Sequence, residues 1–216
     1  MNEKRTIEGV AAAIAIANLD TDQIMPKQFL RGIDKSGLDK GLLWDLRFHP
    51  DGRPRDGFVL NRPAYRDTRV LVAGPNFGCG SSREHAVWGL QQYGIQAVVA
   101  SSFGEIFYSN AMNNALLAVM VSPEDGERLL AEARDDDAAP LRLRIDVESL
   151  TVTSPRSTVP FTLSPRHRAM FLDGLDVIGS SLTYRARIDA FAQRHWDEQP
   201  WVRDVGRRTM ERLARR

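Results

Sequence analysis

Val70-Leu71-Val72-Ala73-Gly74-Pro75-Asn76-Phe77-Gly78-Cys79-Gly80-Ser81-Ser82-Arg83-Glu84-His85 is the stretch that decides the fold. Its first four residues are apolar without alternation, as a strand buried on both faces requires, and the glycines and proline that follow end the strand in a turn. From Ser81 the pattern reads as a helix to about Tyr93. Ile95 to Ala100 is a second buried strand, Phe103 to Asn114 a second helix, Leu116 to Val121 a third strand, and Pro123 to Arg134 a further helix. That alternation predicts an α/β layer with parallel strand pairing.

Working outward, Val10 to Ala17 is apolar throughout and suits another buried strand, which runs into the polar turn Asn18-Leu19-Asp20-Thr21-Asp22-Gln23. Between Arg31 and Pro54 glycines and charges alternate without a period, predicting a long excursion with one short helix near Leu38 to Leu46. On the other side, Leu141 to Val147 and Leu150 to Thr153 alternate apolar and polar residues, as half-buried antiparallel strands do, and Ser154-Pro155-Arg156-Ser157 bounds them. Arg166 to Leu172 reads as a short helix. Ser181 to Trp196 keeps apolar residues near helical spacing, and the basic stretch from Val202 to Arg216 suits a solvated surface helix. The run Arg134-Asp135-Asp136-Asp137 reads as a solvated turn in preference to a metal site. The expectation is one domain over residues 1–216, with a helical extension from about residue 181.

Composition narrows the function. Hydrophobic residues make up 43% and charged residues 26%, ordinary values for a soluble globular protein, and a formal net charge of +1 supplies no broad basic field for nucleic acid or membrane. The first apolar run, Gly9 to Leu19, is too short to span a bilayer and has no export cleavage context, so the expected location is the cytoplasm. The chain has one cysteine, Cys79. An intrachain disulfide is impossible, and so is a thiolate set for an iron-sulfur cluster or structural zinc.

The chemistry concentrates in Gly78-Cys79-Gly80-Ser81-Ser82-Arg83-Glu84-His85. Glycines let the backbone turn tightly with its N–H groups exposed, and a helix N-terminus adds unpaired donors, so a carboxylate or phosphate fits there. Arg83 can grip a carboxylate with two parallel hydrogen bonds, which lysine cannot do, and Ser81 or Ser82 can then reach the bound molecule. The same spacing, Ser81-x-x-Glu84, also matches a capping box in which both side chains merely satisfy backbone donors. No lysine follows the glycines as a Walker-type loop needs, a third glycine of a dinucleotide fingerprint is missing, and there is no G-x-S-x-G elbow for a nucleophilic serine.

At this point the sequence resembles a known family. Gly78 to Ala86 is similar to the signature of the swivel domain of the aconitase superfamily. Asn18 to Ile24, Phe29-Leu30-Arg31, Ala100 to Phe107 with Asn110, and Leu175-Asp176-Val177-Ile178-Gly179 with Tyr184, Ile188 and Phe191 resemble the small subunits of 3-isopropylmalate dehydratases in order and spacing. The resemblance covers nearly the whole chain. It implies an α/β fold, a swivelling β/β/α domain whose mixed sheet forms a barrel-like core flanked by helices. It implies a hydro-lyase interconverting 2-isopropylmalate and 3-isopropylmalate in leucine biosynthesis, active only with a large partner subunit.

The resemblance also implies roles. Ser81 would be the general base, Arg83 and Arg31 would bind substrate carboxylates, Ser82 would contact substrate, and Asp22 would orient donors near the serine. Read alone, Asp22 is equally a turn-forming aspartate and Arg31 a solvated loop arginine. His85 is expected to pack or support rather than ligate metal. With Cys79 as its sole thiol, this chain is expected to bind no cofactor, and the [4Fe-4S] cluster the family uses is expected on the large partner. Two other readings stand beside this one. The first is a small subunit of a related hydro-lyase acting on homocitrate-type or citraconate/methylmalate substrates, with the Phe29 to Asp34 loop as the discriminating segment. The second is an anion- or nucleotide-binding module.

Overall fold

A computed structural model describes residues 5–30, 36–134 and 139–215. Arg31 and the Asp135-Asp136-Asp137 run lie outside the described residues. The chain divides into two units, Met1–Asp176 and Val177–Arg216.

The first unit is built on seven strands: β1 (Thr6–Ile14), β2 (Thr68–Ala73), β3 (Ala97–Ala100), β4 (Leu117–Met120), β5 (Arg142–Asp146), β6 (Thr151–Thr153) and β7 (Thr158–Pro160), in the order β4-β3-β2-β1-β5-β6-β7. The four strands from β4 to β1 run parallel, and β5, β6 and β7 join antiparallel. The reason lies in the side chains. All four residues of β3 and the four from Val70 to Ala73 are buried, so both faces of the parallel part need cover. β5 alternates buried Leu143 and Ile145 with exposed arginines and has one wet face. Each fully buried valine or leucine contributes about 1.5–3 kcal/mol relative to leaving it in water.

Nine helices are present among the described residues. Those of the first unit are α1 (Thr21–Ile24), α2 (Trp44–Arg47), α3 (His85–Tyr93), α4 (Glu105–Asn113), α5 (Pro123–Arg134) and α6 (Pro165–Asp173). Of the three parallel crossovers, β2 to β3 runs through α3, β3 to β4 through α4, and β1 to β2 through the long excursion that holds α1 and α2. α5 packs on β1 and β2 through the buried Leu129 and Ala133. The antiparallel end then returns to the far edge of the sheet: Thr162 N–H donates to Met120 O at 3.1 Å, bridging the residues after β7 to β4. This closure makes the core barrel-like, as the family resemblance implied.

Several boundaries differ from those expected. β7 was not foreseen, and the turn after β1 contains a single helical turn, α1. The excursion before Pro54 holds a short 3-10 turn, Leu38–Gly41, and then α2, where one helix was expected. The largest difference concerns α3, which starts at His85 instead of Ser81.

The second unit contains α7 (Val177–Leu182), α8 (Arg185–Glu198) and α9 (Val205–Ala214), and none of their described residues is buried. Ion pairs one turn apart, such as Arg185 Nε to Asp189 at 2.9 Å, support α8. No helix among the described residues is long and apolar enough to cross a membrane.

Candidate active site

Three loops leave the carboxyl ends of parallel neighbours β1, β2 and β3, the edge at which open α/β sheets bind ligands. Backbone hydrogen bonds stitch them together. Asn18 N–H donates to Pro75 O, Gly78 N–H to Leu19 O and Thr21 N–H to Cys79 O, all at 2.8–2.9 Å, while Gly104 N–H donates to Phe77 O at 2.9 Å. The isolated bridges Asp20 to Cys79 and Phe77 to Phe103 continue the parallel pairing past the strand ends.

Glycine is needed at the centre of this junction. Gly78 has φ +76°, and a Cβ there would sit 2.2 Å from Cγ of Phe107, whose ring packs edge-on against Phe77 at 5.2 Å. Gly104 is also too tight for a side chain from the other side, since a Cβ on it would lie 2.7 Å from Gly78 O. The apolar ring cluster below and the glycine turn above fix where Cys79 to Arg83 must run.

Ser81 does not cap α3. Glu84 is the residue preceding that helix and makes no side-chain cap, and its Oε1 accepts from Asn114 Nδ2 at 3.3 Å. The capping-box reading is therefore set aside, and so is the placement of Ser81 in a helix's first turn. The physical cause is a tertiary partner: Ser81 Oγ lies 2.7 Å from Thr21 Oγ1, and Ser81 N–H donates to the same Thr21 oxygen at 3.2 Å. Thr21 is held in turn by a capping box of its own helix, in which Asp20 Oδ1 accepts from Gln23 N–H at 2.7 Å and Gln23 Oε1 accepts from Asp20 N–H at 3.1 Å.

A second cross-link, between Asp22 one residue beyond Thr21 and Arg83 two residues beyond Ser81, is an ion pair of Arg83 Nη2 with Asp22 Oδ1. Arg83 is 28% and Asp22 43% exposed, and Arg83 Nη1 is buried with no hydrogen-bond partner. A guanidinium already oriented by one carboxylate, with an unused N–H edge, is suited to a second carboxylate. Ser82 is exposed, and its carbonyl accepts from Asn110 Nδ2 at 3.2 Å, which ties the signature turn to α4. The site residues expected from the sequence thus come together in Ser81, Ser82, Arg83 and Asp22; Arg31 lies outside the described residues.

Cys79 places its Sγ 3.4 Å from Asn18 O, a contact within the loop junction. His85 packs its ring against Trp88 at 4.8 Å, with Nδ1 buried and unpartnered. Among the described residues no three His, Cys, Asp or Glu side chains are grouped to hold a metal ion. Thr21 is the contact that the sequence did not single out, although it sits inside the Asn18 to Ile24 motif. A small polar residue between two aspartates in a turn was the available signal.

Comparison with known proteins agrees with this geometry. A family profile described as the aconitase C-terminal domain matches residues 1–124, which include both loops of the site. The chain is 61% identical to the 3-isopropylmalate dehydratase small subunit 1 of Chromobacterium violaceum, over 96% of this chain and 97% of that one. It is 46% identical to the 3-isopropylmalate dehydratase small subunit of Phenylobacterium zucineum, over 91% and 96%. Among solved structures, the 3-isopropylmalate dehydratase of Methanocaldococcus jannaschii superposes with a TM-score of 0.62 at 27% identity, covering 87% of this chain and 99% of that one. The chain belongs to the family of 3-isopropylmalate dehydratase small subunits, built on the aconitase C-terminal domain.

Proposed function

We propose that this chain is the small subunit of a dehydratase that interconverts 2-isopropylmalate and 3-isopropylmalate in leucine biosynthesis, with Ser81 as the base. The observation that carries the reading is the pairing of Ser81 with Thr21 beside the Arg83 and Asp22 ion pair, at the carboxyl ends of the parallel strands. Arg83, joined by Arg31, holds the substrate carboxylates, and Ser82 lines the bound molecule. Ser81 removes the proton from the carbon beside a carboxylate. The C–H electron pair becomes the new C=C bond, and the hydroxyl on the adjacent carbon leaves with its bonding pair as hydroxide, which takes a proton from an acid of the assembled site other than Ser81, giving isopropylmaleate and water. Addition of water in the opposite sense, with the proton returned by Ser81, gives the isomer. A serine alkoxide demands a site that stabilises it electrostatically, which the arginine and nearby N–H groups favour.

A family-type [4Fe-4S] cluster does not fit this chain, because Cys79 is its one cysteine. We assign the cluster, and the Lewis acidity it supplies toward the leaving hydroxyl, to a large partner subunit. Residues up to Asp176 serve as the swivel domain and the helices from Val177 onward as an extension, working in the cytoplasm.

Isopropylmaleate absorbance, followed anaerobically with this chain alone, the large subunit alone and the two mixed, tests the reading. Turnover appears only in the mixture. Turnover by this chain alone, or conversion of homocitrate derivatives with none of isopropylmalate by the mixture, overturns it.

A further inference from the structure

The geometry points to Thr21 as a positioning residue for the base: its hydroxyl is the hydrogen-bond donor that orients Ser81 Oγ and stabilises it when it has lost its proton. The inference rests on the assignment of Ser81 as the base and goes beyond it, because the donor comes from a different loop and does not itself touch substrate.

Three observations carry it. Thr21 is 2% exposed, so its hydroxyl is cut off from solvent and needs protein partners. The described partners of Thr21 Oγ1 are both on Ser81: the N–H at 3.2 Å and Oγ at 2.7 Å. An N–H can only donate, so Thr21 Oγ1 accepts there and keeps its own proton for the second contact. In the neutral pair either hydroxyl can be the donor across the 2.7 Å contact. Once Ser81 is an alkoxide it has no proton left, and the bond persists only with Thr21 donating.

Local rigidity makes this bond specific. Thr21 N–H donates to Cys79 O at 2.9 Å, two residues before the serine, and the Asp20 and Gln23 capping box holds the start of α1. Thr21 is therefore tied to the Ser81 loop by backbone and side chain together, and the donor direction is set before substrate arrives. A donor aimed in advance at a developing anion needs no reorganisation during reaction and is strongest where water is excluded.

The test compares the reconstituted two-subunit enzyme carrying wild type, Thr21→Ser, Thr21→Val or Ser81→Ala. Thr21→Val is expected to lower kcat about 10- to 100-fold, the range of a lost hydrogen bond to a charged group, with KM changed less than about threefold. Thr21→Ser, which keeps the hydroxyl, is expected to recover most of the rate. Co-elution with the large subunit and substrate affinity by titration are expected to match wild type in both variants. In the double variant Thr21→Val with Ser81→Ala, the threonine change is expected to add nothing. Wild-type kcat in Thr21→Val with Ser81→Ala inactive overturns the role of Thr21, as does a folded Thr21→Ser as slow as Thr21→Val. Wild-type turnover by Ser81→Ala instead overturns the assignment of the base. If Thr21→Val does not fold, Thr21→Ala carries the same two outcomes.

Discussion

Ser81 Oγ lies 2.7 Å from Thr21 Oγ1, and the two residues are 60 positions apart in the chain. They meet because β1 and β2 are parallel neighbours whose ends are in register, Ile14 beside Ala73, so the loops that leave them start side by side. The same neighbourhood pairs Asp22, one residue beyond Thr21, with Arg83, two residues beyond Ser81.

That ion pair separates two effects. Arg83→Lys keeps the charge but loses the planar fork, and KM for isopropylmalate in the assembled enzyme is expected to rise about tenfold or more. Asp22→Asn loses only a half-exposed partner, so the unfolding free energy is expected to fall by about 0–1 kcal/mol. Steady-state kinetics and denaturant unfolding of the two variants check the contrast.

Gly78 and Gly52 both have positive φ, +76° and +83°, but only Gly78 has a neighbour in the path of a Cβ. Gly52→Ala is expected to cost about 1 kcal/mol from conformation alone, whereas Gly78→Ala adds a collision with the Phe107 ring and is expected to cost about 3 kcal/mol or more. Urea unfolding of the two variants measures the difference.

The bond from Thr162 N–H to Met120 O joins the two ends of the sheet. Thr162→Pro removes that donor and is expected to cost about 1–3 kcal/mol. Hydrogen exchange is expected to quicken at β4 and β7 while the amides of β2 and β3 keep their protection.

His167 has its pKa lowered from 6.5, first by burial and then by the Arg166 charge, and its Nδ1 is buried without a partner. A depressed folded pKa means the unfolded chain takes up the proton first. The contribution is intact above pH 6.5, the unperturbed value, and is lost as pH falls through the folded pKa. Thermal unfolding from pH 7.5 to 5 is expected to show a decline that His167→Gln flattens.

Much of this was legible in the sequence because the parallel layer is written in continuous apolar runs. Val70 to Ala73, Ile95 to Ala100 and Leu116 to Val121 each need burial on both faces, and their spacing leaves room for one crossover helix between them. The start of α3 was misread because Ser81-x-x-Glu84 satisfies a local rule, whereas the serine's partner is tertiary. No local pattern encodes a contact across 60 positions. β7 escaped notice for a similar reason: three residues, Thr158–Pro160, become a strand through pairing with β6 and carry little periodicity of their own. Thr21 was hidden by a turn motif that explains its neighbours Asp20 and Asp22 without it.

The most direct measurement of the central claim is exchange of the substrate's carbon-bound proton with deuterated solvent, followed by NMR or mass spectrometry in the assembled enzyme. The wild-type complex is expected to wash deuterium into both isopropylmalate isomers during turnover. The Ser81→Ala complex, with partner binding and substrate affinity retained, is expected to incorporate none. Deuterium incorporation by Ser81→Ala at the wild-type rate would contradict the account, since the proton would then be moved by another group.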